Sequence, residues 1–137
     1  MEQLEITGKI ISGAGEGAYF TQIDWVQQQC DEKLGFKPFP GTLNLEISDE
    51  FLPAIKLLDR KEGIELISPD PKFCNGMAFH VLLGGFNGAI ILPEEKVRIH
   101  PKNVIEVIAP VNLKMSLKVK VGDSLEIAII PNMKRSG

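Results

Sequence analysis

The chain has 137 residues, 44% of them hydrophobic and 24% charged, a size and composition that suit one domain with its own apolar core and exclude a disordered or low-complexity class. A net charge of −3 and a pI near 5.4 count against a sequence-independent grip on nucleic acid through counterion release.

Cys30 and Cys74 stand far apart, outside metal-ligand or redox spacing, so neither a zinc site nor a CxxC center is indicated. The start, MEQLEIT, alternates instead of presenting the basic and then apolar run of a secretory leader. Apolar stretches such as Ala89 to Pro93 are too short to span a bilayer. The expectation is one cytoplasmic domain over residues 1–137, a monomer with no membrane segment and no nucleic-acid partner.

Leu4, Ile6, Ile10 and Ile11 predict a first strand bent at Gly8, because glycine inside a strand often marks a bulge or sharp curvature. A glycine-rich loop follows. Val26, Cys30 and Leu34 recur every four residues and predict a short helix capped by Asp24 and ended at Gly35. Leu43, Leu45 and Ile47 alternate with Asn44 and Glu46, the period of a half-buried strand in which Asn44 faces away from the leucines. A second short helix is predicted over Glu50 to Leu58, with Phe51, Ile55 and Leu58 on one side and Pro53 in its first turn. Asn75-Gly76 and Asn87-Gly88 read as tight two-residue turns of two successive hairpins. Ile90 to Leu92, Val104 to Ile108 and Leu125 to Ile130 add strands, with Gly122-Asp123 turning the chain before the last. Many short strands with two or three brief helices predict a mostly β fold, a compact β-barrel in preference to a parallel α/β sheet.

Three features could carry chemistry. The loop Ser12 to Phe20, SGAGEGAYF, has three glycines within five positions, so its N–H groups can form an anion-binding nest or simply turn the barrel; no Walker-type Gly-Lys-Ser/Thr follows. Thr42 and Asn44 project to the same side of an extended segment, where their oxygens can share one hard cation or bond the backbone of a turn. Glu106 is a lone carboxylate in an apolar strand, either on a solvated face or, if it lines a pocket, accepting hydrogen bonds or acting as a base. Beyond it Pro110 redirects the chain and leaves backbone groups free to read a base edge. Lys114, Lys118 and Lys120 form a cluster that suits either a phosphate or a solvated face. His80 and His100 lack the spacing of a metal pair and read as structural or surface residues.

These features, in this order and at these separations, resemble the archaeal CTP-dependent riboflavin kinases. The blocks that carry the likeness are SGAGEGAYF at Ser12 to Phe20, LGFKPFPGTLNL at Leu34 to Leu45, NGAIILP at Asn87 to Pro93, VIEVIAPVNLK at Val104 to Lys114, and VGDSLEIAI from Val121. Together they span essentially the whole chain. The resemblance implies a six-stranded-type cradle-loop (RIFT-like) barrel that binds CTP and riboflavin in adjoining clefts. By similarity, Ala14, Gly15, Glu16, Gly17, Ala18 and Tyr19, with Ala109, Pro110, Val111, Asn112, Leu113 and Lys114, would hold the cytidine nucleotide. Thr42 and Asn44 would be ligands of Mg²⁺. Glu106 would bind the flavin, assisted by Arg98 from the segment Lys96 to Arg98.

The implied reaction moves the γ-phosphoryl group of CTP to the 5′-hydroxyl of riboflavin, giving FMN and CDP, with Glu106 orienting or weakly activating that hydroxyl. Two other readings compete with it. A flavin- or nucleotide-binding regulator without turnover is opposed by the intact Thr42 and Asn44, and a swapped-hairpin DNA-binding barrel by the acidic charge and the lack of an Arg/Lys stripe.

Overall fold

The computed structural model of the chain describes residues 4–12, 20–54, 63–69, 75–93 and 103–130. Its strands are β1 (Leu4–Ile11), β2 (Leu43–Ile47), β3 (Ile64–Leu66), β4 (Gly76–Leu83), β5 (Phe86–Pro93), β6 (Val104–Ile108) and β7 (Ser124–Ile129). Two helices, α1 (Asp24–Leu34) and α2 (Leu113–Leu117), and a 3₁₀ turn at Asp49–Phe51 complete the described elements.

A strand with one apolar face needs a partner for that face and hydrogen bonds for both of its edges. Closing the sheet supplies both. The order β4-β5-β6-β2-β1-β7 returns to its start where β7 pairs with β4 at Val81↔Ile129 and Leu82↔Ala128, and every pairing is antiparallel. The result is the expected mostly β barrel, with β3 added beside β4 through Ile64↔Ala78. Closure requires staggered registers. β1 provides the stagger by pairing with β7 over Leu4 to Lys9 and with β2 over Gly8 to Ile11. Gly8 belongs to both ladders, and a Cβ there would stand 2.9 Å from Ile47 Cδ1, so glycine is what lets β1 and β2 approach this closely.

Two apolar clusters follow from the alternation. Inside the barrel lie Ile6, Ile10, Leu45, Ile47, Val81 and Ile127 with their neighbors. Outside, α1 sets Val26, Cys30 and Leu34 on Ala78, Ala89, Ile91 and Ile108. That is the predicted helical stripe. The helix ends as expected at Gly35, whose φ of 86° lets its N–H donate to the Cys30 carbonyl at 3.0 Å. Its start differs: Ile23 holds the cap position and Asp24 sits in the first turn, where a carboxylate favors the positive end of the helix dipole.

Both Asn-Gly expectations are corrected. The β4–β5 hairpin turns at Gly84-Gly85, where φ values of 53° and 90° meet the demand of a primed turn for two positive φ angles. Asn87 and Gly88 instead pair with Leu82 and Val81 inside the ladder, and a Cβ on Gly88 would come within 2.7 Å of the Ile108 carbonyl oxygen. Gly76 begins β4, and Asn75 accepts the Ser68 N–H at 2.8 Å within a longer connection from β3. The expected helix over Glu50 to Leu58 is described as the 3₁₀ turn and a helical stretch to Ala54; Ile55 and Leu58 lie outside the described residues. The Gly122 turn is present, with φ of 100° and the Lys120 N–H donating to Asp123 Oδ2 at 2.9 Å. Among the described residues no helix is long and apolar enough to cross a membrane.

Candidate active site

Register places the candidate residues. On the outer face of the barrel Ala78, Ile91, Glu106, Asn44 and Ile11 are successive cross-strand partners. Ala78 and Ile91 lie in the cluster that α1 joins, and Glu106 and Asn44 come next in the row. Thr42 is two residues before Asn44 and therefore shares its side of the chain. Its Oγ1 donates to Glu106 Oε1 at 2.9 Å. Strands far apart in sequence thus bring Thr42, Asn44 and Glu106 together, the set singled out from sequence.

Asn44 is only 6% exposed, and its Oδ1 has no hydrogen-bond partner among the described residues. A buried acceptor left unpaired costs about 1–3 kcal/mol, so native proteins seldom keep one without a use. An oxygen of this kind beside a hydroxyl and opposite a carboxylate suits a hard, oxygen-preferring cation such as Mg²⁺. No group of three or more His, Cys, Asp or Glu that could hold a metal occurs among the described residues. The donors at this cluster are of the hard oxygen kind.

Thr42 also opens onto a cleft of about 200 Å³. One wall is Phe39 to Leu43; the other comprises Val107, Ala109, Val111, Asn112, Leu113 and Lys114. The Phe39 N–H ties the walls together by donating to the Ala109 carbonyl at 2.7 Å. Two further bonds fix the first wall: Gln27 Nε2 donates to the Pro38 carbonyl at 2.9 Å, and the Gly41 N–H donates to the buried Thr21 Oγ1 at 2.8 Å. Gln27 Nε2 also donates to the Thr21 carbonyl, so α1 and the residues just before it brace the segment.

The second wall is more structured than the expected loop, because α2 begins in it. Asn112 caps that helix, its Oδ1 accepting the Met115 N–H at 3.2 Å and its carbonyl the Ser116 N–H at 2.8 Å. With Ala109 also engaged, Pro110 and Val111 are left as loop carbonyls that carry no hydrogen bond among the described residues. Of the lysine cluster, Lys114 lines the cleft, whereas Lys118 ends α2 with φ of 57° and Lys120 supplies its N–H to the Asp123 turn.

Pro110, expected with its neighbors at the nucleotide, is not among the cleft-lining residues. Ala14 to Tyr19 and Arg98 lie outside the described residues. The described residues flanking the glycine loop do reach the site: Ile11 pairs with Asn44, and Thr21 bonds Gly41. Phe39, Pro40, Gly41, Leu43 and Val107 were missed as lining residues. The Pro-Phe-Pro-Gly run before Thr42 was the available signal, since an aromatic between two prolines is held in place without burial. His80 and Cys30 take no part in the cluster; burial lowers the His80 pKa and raises that of the Cys30 thiol to about 11, which leaves the thiol protonated and unreactive.

The model of the CTP-dependent riboflavin kinase domain, described as a domain of unknown function, DUF120, matches residues 10–129. The chain is similar to the riboflavin kinase of Pyrobaculum aerophilum, with 40% identity over 134 residues that cover 93% of this chain and 61% of that protein. It is similar to the riboflavin kinases of Archaeoglobus fulgidus, at 39% identity with coverage of 93% and 55%, and of Methanosarcina barkeri, at 34% with coverage of 100% and 60%. The chain thus spans about 55–61% of the length of these curated relatives.

Proposed function

The chain belongs to the CTP-dependent riboflavin kinase family, and from that premise we propose that it transfers the γ-phosphoryl group of CTP to the 5′-hydroxyl of riboflavin, yielding FMN and CDP. The observation that carries this reading is the buried Asn44 Oδ1, unpartnered among the described residues and set opposite Glu106, which accepts a hydrogen bond from the hydroxyl of the cleft-lining Thr42.

Thr42 Oγ1 and Asn44 Oδ1 would hold Mg²⁺, which when bound neutralizes charge on the phosphate oxygens. The protein's own groups do the positioning. Glu106 accepts the Thr42 hydroxyl proton in a hydrogen bond, so the lone pairs of Oγ1 are left to face a cation and not the carboxylate. At the edge of the same cluster Glu106 orients the ribityl hydroxyl, with Arg98 assisting at the flavin. It needs little strength as a base, because a loose phosphoryl-transfer transition state depends mainly on alignment and charge compensation. The N–H groups of Ala14 to Tyr19 and the Lys114 ammonium balance the remaining phosphate charge.

Base selection belongs to the second wall of the cleft. Cytosine offers an exocyclic amine where uracil offers a carbonyl oxygen. The Val111 carbonyl, unpaired among the described residues and on a cleft-lining residue, is an acceptor for that amine and would repel the uracil oxygen.

Purified chain incubated with Mg²⁺, riboflavin and each nucleoside triphosphate in turn, with FMN resolved by chromatography, tests the reading. FMN is expected with CTP. Absence of FMN with every nucleotide rejects the kinase, and FMN with ATP alone rejects the donor.

A further inference from the structure

We propose that Phe39 is the stacking wall for the nucleobase in the cleft it shares with Val111 and Lys114, a role that rests on reading this cleft as the nucleotide site. The ring is 43% exposed, yet it lines a concave surface. The other aromatics assigned to clusters are engaged elsewhere: Phe20, Trp25 and Phe36 pack against the outer cluster, and Phe51, Phe79 and Phe86 belong to or pack against the barrel core. Among the cleft-lining residues Phe39 is the only aromatic.

Its backbone is fixed to an unusual degree for a residue that contributes so little to the core. Pro38 and Pro40 flank it, which restricts φ at both neighbors and holds Phe39 itself in extended conformations. Hydrogen bonds at the Pro38 carbonyl, the Phe39 N–H and the Gly41 N–H anchor three successive points around it. A flat apolar face presented on a braced backbone loses little entropy when a planar partner settles on it. Stacking of a base on an aromatic ring tolerates any base, so Phe39 supplies affinity while the Val111 carbonyl supplies the choice. Removing the ring should therefore weaken cytidine and uridine nucleotides in equal proportion.

The test uses calorimetry and fluorescence. Phe39→Ala should weaken CDP about five- to hundredfold, the range expected for one stacked base, and weaken UDP by the same factor. It should leave tripolyphosphate, which has no base, unchanged. Phe39→Leu should fall between the two, since it restores bulk without a π face. A direct readout comes from Trp25→Phe combined with Phe39→Trp: Trp25 is the only tryptophan and stands edge-on to Phe20 at 6.3 Å, so the exchange leaves one indole, in the cleft. Its emission should be quenched by CDP and unaffected by tripolyphosphate. Wild-type affinity for CDP in Phe39→Ala, or indole emission blind to bound CDP, overturns the proposal while the kinase reading stands. Failure of the wild-type chain to bind CDP overturns both.

Discussion

Asn44 occupies a position that packing alone would give to an apolar side chain. It lies in a strand whose neighbors Leu43 and Leu45 are core residues, and its own side chain is buried with the carbonyl oxygen unpaired. Truncation therefore separates two observables. Asn44→Ala removes a desolvated acceptor and a few buried atoms, contributions of opposite sign and each about 1–2 kcal/mol, so the thermal midpoint should stay close to that of the wild type. FMN formation should fall by a factor of about 100 or more if the cation loses one of its two protein ligands. Unchanged activity would remove the metal assignment. Thr42 separates coordination from size: Thr42→Ser keeps the hydroxyl that donates to Glu106 and should retain most turnover, whereas Thr42→Val keeps the shape and should lose about 10- to 100-fold in cation affinity, read by titration of Mn²⁺ in the presence of CDP.

At the level of elements, local sequence rules located the strands better than the turns. Alternation identified β2 and the helical period identified α1, because both patterns report a face that must be buried. Asn87-Gly88 misled because glycine was needed there for a different reason, the close approach of β5 to the Ile108 carbonyl. Gly84-Gly85, three residues earlier, was the turn. Short α2 escaped notice although Asn112 before Leu113 is a fair cap signal, since the helix is only five residues long and shows no period of its own. These two uses of glycine are separable by measurement. Gly85→Ala forces an ordinary residue to φ of 90° with nothing within 4 Å of the new methyl, so it should cost about 1–2 kcal/mol of backbone strain in urea unfolding. Gly88→Ala should cost more, up to about 3 kcal/mol, because a methyl placed 2.7 Å from a backbone oxygen cannot be relieved by rotating a side chain. Equal costs would mean that β5 shifts freely against β6.

Across the whole molecule, the site is a product of barrel closure. Thr42 and Glu106 are 64 residues apart, and neither their hydrogen bond nor the partnership of Phe39 with Ala109 could be read from periodicity, which has no knowledge of register. The family likeness pointed to the residues, and the antiparallel pairing of β2 with β6 supplied the reason they meet. Burial away from the site also shifts two ionizable groups that have no catalytic use, and each adds a pH dependence to stability. Desolvation lowers the pKa of the half-buried His80, so its contribution is present above the ordinary histidine value near 6.5 and is lost as the pH falls through the lowered one. Cys30 acts on the alkaline side. Its thiol is fully buried under α1 and ionizes near pH 11, against an ordinary value of 9.0. Above pH 9.0 the unfolded chain releases this proton while the folded chain keeps it, so the unfolded state binds fewer protons and stability must fall as pH rises. At about 1.4 kcal/mol per pKa unit the loss from this one group reaches about 2–3 kcal/mol by pH 11. Cys30→Ala should be less stable than the wild type at pH 8 because of the cavity it opens, yet it should lose less stability between pH 9 and 11. Urea unfolding of both chains across that interval isolates the thiol, since the two chains differ only at that side chain. Parallel alkaline slopes would show that the Cys30 thiol ionizes in the folded barrel as easily as in the open chain.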